Sequence, residues 1–300
     1  MLAARFHTYG SPDVLLVEDA PEPHAGEGSI RIRVLATSVN PIDVILRAGH
    51  LQQFLPLTLP AIPGRDAVGI IDEVGQGVFG AAIGDRVFGL GGVSDTTGEF
   101  AVLTAWADVP SGWSTAQAAA AGLASATAAA ALETLGDLNG RTLLIEGASG
   151  AVGSAAAAFA VAAGATVIGT GRPSNRAYLE SLGIHPTTYG AGLADRVRDL
   201  APDGVHAALH SAPSNSLPDL LGIVGDPSRV VTVIDDQGAA RLGLRKVDAR
   251  NDSALLRYAA ALGEKGLYTP RVDHEFPLAE IVEAHTVAES GSGKVVIIQP

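Results

Sequence analysis

The chain has no cysteine and one methionine among its 300 residues. Without thiols there can be no disulfide, no thiolate nucleophile and no Cys-ligated zinc. Aromatic residues are scarce at 5%, and 20 Lys and Arg face 32 Asp and Glu, a net charge of −12. Such a surface has no general affinity for nucleic acid or an anionic membrane. Neither is expected as a partner, and any phosphate must be held by a local cluster. Long apolar runs are also missing. The nearest, 116–132, is alanine-rich and broken by Gly122, Ser125 and Thr127; it falls short of the roughly 20 strongly apolar residues of a membrane span and reads as a packed helix. The opening "MLAARFH" lacks the charged and apolar regions of a secretory signal, which makes the cytoplasm the expected location.

Glycine, in contrast, is plentiful, at 36 residues. Three of them, Gly147, Gly150 and Gly153, follow one another at three-residue intervals, with Ser149, Ala151 and Val152 between them. Leu143, Leu144 and Ile145 before them read as a buried strand, 151–163 as a helix and 165–169 as the next strand. In such a βαβ unit the missing Cβ atoms allow a tight turn and let backbone N–H groups approach a pyrophosphate, which the positive end of the following helix also stabilises. That chemistry belongs to a dinucleotide. An NAD site usually carries an acidic residue about 20 positions beyond the glycines, whereas an NADP site offers a cation or small donors. Here the second strand leads into Gly171, Arg172, Ser174, Asn175 and Arg176, and no acid occurs before Glu180. Guanidinium, amide and hydroxyl donors suit a 2′-phosphate, so the expected cofactor is NADPH.

Length suggests about two units, and the patterning changes character along the chain. Up to about residue 109, short runs such as 30–34, 68–71 and 85–88 alternate with Gly and Pro, the signature of a β-rich, barrel-like unit. From about 115 to 262 helix and strand alternate: after the glycine unit come 175–182, 205–209, 229–234 and 252–262. That rhythm predicts an α/β, doubly wound parallel sheet. A helix near 278–288 and a strand at 294–298 follow, too isolated to extend the parallel sheet and free to rejoin the first unit.

The ordered motifs "YGSPDVLLVEDAPEPHAGEGSIRIRV", "NPIDVILRAG", "PGRDAVGIIDEVGQGVFGAAIGDRVFG", "GASGAVG" and "FPLAEIVEAHTVAESGSGKVVI" resemble the medium-chain dehydrogenase/reductase superfamily, in particular its zinc-free, quinone-oxidoreductase-like (zeta-crystallin-like) branch. The resemblance covers nearly the whole chain. It implies a GroES-like catalytic domain, residues 1–120 completed by 260–300, around a Rossmann NADPH-binding domain, 121–259. It also implies NADPH-dependent reduction of quinones, enones or other activated double bonds, usually by a homodimer.

Metal chemistry can be weighed on the residues. Catalytic zinc needs three protein ligands, and structural zinc usually four sulfur or nitrogen donors. Where zinc-dependent relatives carry His-Glu this chain has Arg65-Asp66. His206 and His210 are four apart, but 205–210 looks like a strand, on which four residues span roughly 13 Å. No metal site is expected.

Other site residues come from the resemblance. Asn40 and Asp43 match the element that borders the nicotinamide and substrate pocket; read alone, Asn-Pro-Ile-Asp is a helix start with Pro41 in the first turn. Thr127 matches a threonine beside the nicotinamide ribose, with Ser125-Ala126 in place of the usual Gly-Leu. Arg47 is either a substrate anchor or a helix C-terminal cation. Ile45 occupies the place of a common tyrosine, which removes an obvious proton donor. The expected chemistry is therefore hydride transfer to an electron-poor carbon. Asn40 or backbone donors would hold the carbonyl, ionised Asp43 would only orient, and water rather than Tyr9, His50 or Tyr268 would give the final proton.

Two other enzyme classes fail on their motifs. None of the five tyrosines has a lysine four residues on, against a short-chain dehydrogenase, and Gly147-Ala-Ser149-Gly-Ala151 breaks the hydrolase Gly-x-Ser-x-Gly. A non-catalytic NADPH-binding protein, a sensor or a crystallin-like structural protein, is the remaining alternative.

Overall fold

Alternation in Ile30–Val39 buries Ile30, Ile32, Val34 and Ala36, as the two-residue period of a strand with one face in the core requires. This strand belongs to the first of two units in the computed structural model, which describes residues 1–300. The first unit comprises Met1–Leu123, Asn251–Glu264 and Pro270–Pro300; the second comprises Ala124–Arg250 and Lys265–Thr269.

The first unit is the GroES-like one. Its seven-stranded sheet runs His274–Pro277, Val295–Ile298, Ile30–Val39, Asp66–Val74, Arg86–Leu90 and Ala105–Asp108, with Phe100–Leu103 also paired to Ile30–Val39. Two short strands share one edge of Ile30–Val39: Phe100–Leu103 lies antiparallel to Ile30–Arg33, and Val295–Ile298 lies antiparallel to residues 36–39. The tail is therefore inserted in the sheet. One core joins Phe6, Leu15 and Val39 to Ile281, Val295 and Ile297; another joins Ile30, Ile32 and Val34 to Ile71, Val87 and Leu103.

The second unit is a parallel, Rossmann-type sheet in the order His185–Thr187, Thr166–Thr170, Thr142–Glu146, Ala207–His210, Val230–Thr232, Arg245–Lys246. Leu143, Leu144 and Ile145 are wholly buried, so this strand is apolar on both faces as central parallel strands are. Helix Ala151–Ala162 is buried from Gly153 to Ala160, and its alanines let it approach the sheet closely. Pro173 starts a short 3₁₀ turn, Pro173–Asn175, so the next helix is confined to Arg176–Ser181. Helix Thr115–Leu135 has the length and hydropathy of a membrane span, but its most apolar window is 72% buried, the environment of a core helix.

One expected boundary moves. The parallel-sheet unit comprises Ala124–Arg250 and Lys265–Thr269 and not one run to residue 259, because helix Ser253–Glu264 belongs to the first unit. Ser253 Oγ accepts the Trp106 N–H at 3.0 Å, and Glu264 takes the N–H and hydroxyl of Ser111 at 2.6 and 2.9 Å. Gly263 lies so close to Trp113 that a Cβ would stand 2.7 Å from the indole.

Gly263→Ala therefore sets two effects against each other. Helix propensity favours alanine by about 1 kcal/mol, while overpacking costs about 1–3 kcal/mol. The rigid ring should make overpacking win, lowering the urea midpoint followed by tryptophan fluorescence; a raised midpoint would show that the helix slides freely on Trp113.

Candidate active site

The glycine turn stands at the C-terminal end of Thr142–Glu146. Gly147 adopts φ +79, a left-handed conformation open to glycine at no steric cost. The close approach is at Gly153, where a Cβ would lie 2.2 Å from the Gly147 carbonyl oxygen; no side chain fits without moving backbone. The turn is fastened to the neighbouring strand by Ala148 N–H to Thr170 O at 3.0 Å and Gly147 N–H to Thr170 Oγ1 at 3.2 Å. Helix Ala151–Ala162 then starts at Gly150 with no side-chain cap and no acid in its first turn. The first N–H groups of a helix have no intrahelical partner and carry its positive pole, so this start fits an external anion such as a pyrophosphate.

The residues expected around a 2′-phosphate gather at the end of the adjacent strand. Gly171 is buried, while Arg172 and Ser174 are exposed. Asn175 Nδ2 donates to Ser149 Oγ at 3.1 Å, tying this segment to the glycine turn. Arg176 leans on Glu180, Nε to Oε1 2.9 Å. Both partners are exposed, and such a pair is worth little, so Glu180 is a weak competitor for that guanidinium. Thr127 is buried within helix Thr115–Leu135.

In the first unit Asn40 caps helix Pro41–Arg47, its N–H donating to Asp43 Oδ2 at 2.7 Å. Its side chain turns away from the helix. Asn40 Nδ2 donates to Asp66 Oδ1 at 3.0 Å, and Asn40 Oδ1 accepts Lys294 Nζ at 2.6 Å. Asp66, wholly buried, also accepts Ser38 Oγ at 2.6 Å and the Leu123 N–H at 2.9 Å. The amide of Asn40 is thus engaged at both ends, with Ser38 O and Oγ at 3.5 and 3.4 Å as the nearest partners for the second Nδ2 hydrogen, an involvement the sequence did not lead one to expect. Asp43 departs from expectation as well. Burial, reinforced by the Asp66 charge, pushes its carboxyl up to about 7 against the opposing pull of the Asn40 N–H and Lys294, so at neutral pH it is not simply an ionised acceptor. Burial also lowers Lys294, which Asp66 and Asp43 partly restore.

Sequence reasoning missed Lys294 and gave Asp66 no role beyond replacing a zinc ligand. A single lysine heading the apolar run "KVVII" was the available signal. Tyr268 is buried with its hydroxyl receiving Ser125 Oγ at 3.2 Å, and burial raises its pKa. Tyr9 Oη accepts the Leu57 N–H at 3.0 Å. Arg47 is buried in the last turn of its helix and reaches Glu289 at 3.1 Å.

A GroES-like unit with a buried Asp–Asn–Lys network and a Rossmann unit with an uncapped glycine turn define a dehydrogenase/reductase architecture. Residues 26–128 match the alcohol dehydrogenase GroES-like domain and residues 185–297 the zinc-binding dehydrogenase family. The chain is 30% identical to the quinone oxidoreductase of Rattus norvegicus, with 98% of this chain and 96% of that protein covered. Among solved structures, the quinone oxidoreductase from Coxiella burnetii is similar with a TM-score of 0.82 at 27% identity, over 99% of both chains. A mycobacterial protein solved in complex with NADPH gives 0.80 at 26%, again over 99% of both. The chain belongs to the quinone oxidoreductase-like branch of the medium-chain dehydrogenase/reductase superfamily.

Asp43 has a thermodynamic signature. Its carboxyl is raised in the fold, from 3.8 to about 7, so folding favours the protonated form. That contribution is complete below pH 3.8 and is lost as pH rises through 7. For a fully buried group the difference is on the order of 4 kcal/mol. Asp43→Asn, which keeps an oxygen for the Asn40 N–H, should gain stability relative to the unmodified protein as pH rises from 4 to 8 in urea titrations. Parallel pH profiles would show Asp43 to be ionised throughout.

Proposed function

We propose that this protein is an NADPH-dependent, metal-free reductase that delivers hydride to a quinone, an enone or another carbon–carbon double bond conjugated to a carbonyl. The observation that carries the reading is the uncapped helix start beside Gly147 and Gly153, next to a strand end that offers Arg172, Ser174, Asn175 and Arg176 but no acid before Glu180. The quinone oxidoreductases of rat and Coxiella support the substrate class, and the mycobacterial complex supports the cofactor.

NADPH, when bound, would supply the hydride. The N–H groups of the turn and of Ala151 and Val152 would hold its pyrophosphate. Arg172 and Arg176 would meet the 2′-phosphate, and Thr127 would stand by the nicotinamide ribose. Asn40, held between Lys294 and Asp66, would position the Pro41–Arg47 helix start, leaving backbone donors to stabilise the developing oxyanion. Water would supply the final proton, a role supported by Ile45 in the place of a common tyrosine and by the burial that makes Tyr268 a poorer acid. Metal independence is supported by the Asp66 carboxylate, whose two oxygens already receive Ser38, Asn40 and the Leu123 N–H, and by Arg65, which donates to Asn251 Oδ1.

Three measurements check the reading. NADPH oxidation screened against small quinones, enones and enoyl thioesters should reveal turnover; tight NADPH binding with no turnover on any of them would favour a non-catalytic NADPH-binding protein. NADPH should bind at least about tenfold more tightly than NADH, and replacing Arg172 and Arg176 together by Ala should remove most of that preference, since charge-assisted contacts are worth roughly 1.5–3 kcal/mol each. Equal dissociation constants in the unmodified protein would refute the assignment. Exhaustive chelation should leave activity and melting temperature unchanged; stoichiometric zinc lost together with activity would overturn the metal-free reading.

A further inference from the structure

The second unit holds a buried polar network beside the glycine turn. Glu146 and His210 end two adjacent parallel strands and are direct register partners; they are 2% and 0% exposed. Between these two strands the sheet changes direction. From Thr142–Glu146 the chain builds outward through Thr166–Thr170 and His185–Thr187, then returns to lay Ala207–His210 on the other side. In doubly wound sheets the crevice beyond the strand ends at such a switch point is where a dinucleotide lies, with the first half of the fold taking the phosphates and adenosine.

The hydrogen bonds have a definite direction. Thr232 Oγ1 accepts the N–H groups of Ile234 and Asp235 at 3.2 and 3.1 Å, so its hydroxyl proton donates to His210 Nδ1, 2.9 Å away. The imidazole must then carry its proton on Nε2, which donates to Ser214 Oγ at 3.1 Å. Ser214 in turn donates to Glu146 Oε1 at 3.0 Å, and Ser216 Oγ donates to Glu146 Oε2. Ser211 anchors to the Glu146 carbonyl through its hydroxyl at 2.7 Å and its N–H at 3.1 Å. Three serines of residues 211–216 are thus fastened to Glu146. The segment also lies against the turn: a Cβ on Gly147 would stand 2.8 Å from that of Ala212. The charged groups facing the imidazole are Glu146, across the strand pair, and Asp235, ahead of helix Asp236–Leu242. Burial outweighs both and keeps His210 neutral, which the donor order also requires.

We propose that Glu146, His210 and Ser214 are positioning residues that clamp residues 211–216 beside Gly147 as the support for the nicotinamide half of the cofactor. This rests on the reading of the second unit as an NADPH site. A buried carboxylate with all its partners in place is tolerated, and such a network fixes one conformation. Here the conformation fixed is that of the segment beyond the switch point, on the opposite side of the glycine turn from Arg172 and Ser174.

The test compares two ligands on one protein. Isothermal titration of Ser214→Ala and of Glu146→Gln should show NADPH weakened about tenfold, some 1.4 kcal/mol, with the dissociation constant of adenosine 2′,5′-bisphosphate, which lacks the nicotinamide half, unchanged within about twofold. Nitrogen-15 NMR of the unliganded protein should find His210 as the Nε2–H tautomer. Equal weakening of both ligands would reduce the network to a structural role, and unaltered NADPH affinity or an Nδ1–H tautomer would overturn the proposal. An unmodified protein that binds neither ligand would instead refute the NADPH reading on which the proposal stands.

Discussion

The carboxylate of Asp66 is the node on which the first unit closes. It is fully buried at the start of a central strand, and an unpaired charge there would cost several kcal/mol. Its partners come from two separate stretches: Ser38 and Asn40, where a neighbouring strand passes into a helix, and the main chain of Leu123. Lys294 joins through Asn40. Satisfying one buried charge therefore fixes the exit of a strand, the entry of a helix and the position of the tail together. The second unit solves the same problem at Glu146, again with short hydroxyl side chains brought in by a loop. In both units these two carboxylates sit where a strand begins or ends.

How much of this could be read in the sequence depended on the range of the interaction. The glycine turn was legible because its constraints are local: Gly147, Gly150 and Gly153 lie within one turn and one helix start, and the strand before them is an unbroken apolar run. Asn40 and Asp43 were legible as a helix start for the same reason. The Asn40–Lys294 bond joins residues 254 apart, and no pattern near either residue announces the other. The engagement of the Asn40 amide follows from that distant pairing, and the raised pKa of Asp43 from its burial beside Asp66, so both escaped. Helix Ser253–Glu264 was recognisable as a helix, yet its unit was not, since Gly263 gives no hint in sequence that it abuts Trp113. His210 drew notice only as a candidate metal ligand; its partners Glu146, Ser214 and Thr232 become neighbours only when parallel strands are laid side by side.

Packing in both units relies on small residues. Helix Thr115–Leu135 is mostly alanine with several side chains wholly buried, and helix Ala151–Ala162 is buried almost all round. Alanine buries little apolar area, roughly a methyl group each, but it costs no side-chain entropy on folding and permits close approach. The stability drawn from these helices is spread over many small contacts, and their close approach leaves them intolerant of added bulk.

The insertion of Val295–Ile298 between His274–Pro277 and Ile30–Val39 has a consequence for the order of events during synthesis. Every strand of the parallel sheet lies between residues 142 and 246, so that sheet can pair as soon as those residues leave the ribosome. The GroES-like sheet cannot. Residues 36–39 wait with their edge unpaired, and Asp66 and Asn40 wait without Lys294, until nearly the whole chain has been made. A nascent chain would thus carry a finished second unit while its first remains an open sheet with an exposed edge, the kind of surface that invites wrong pairing. The segment made earliest is the one completed last.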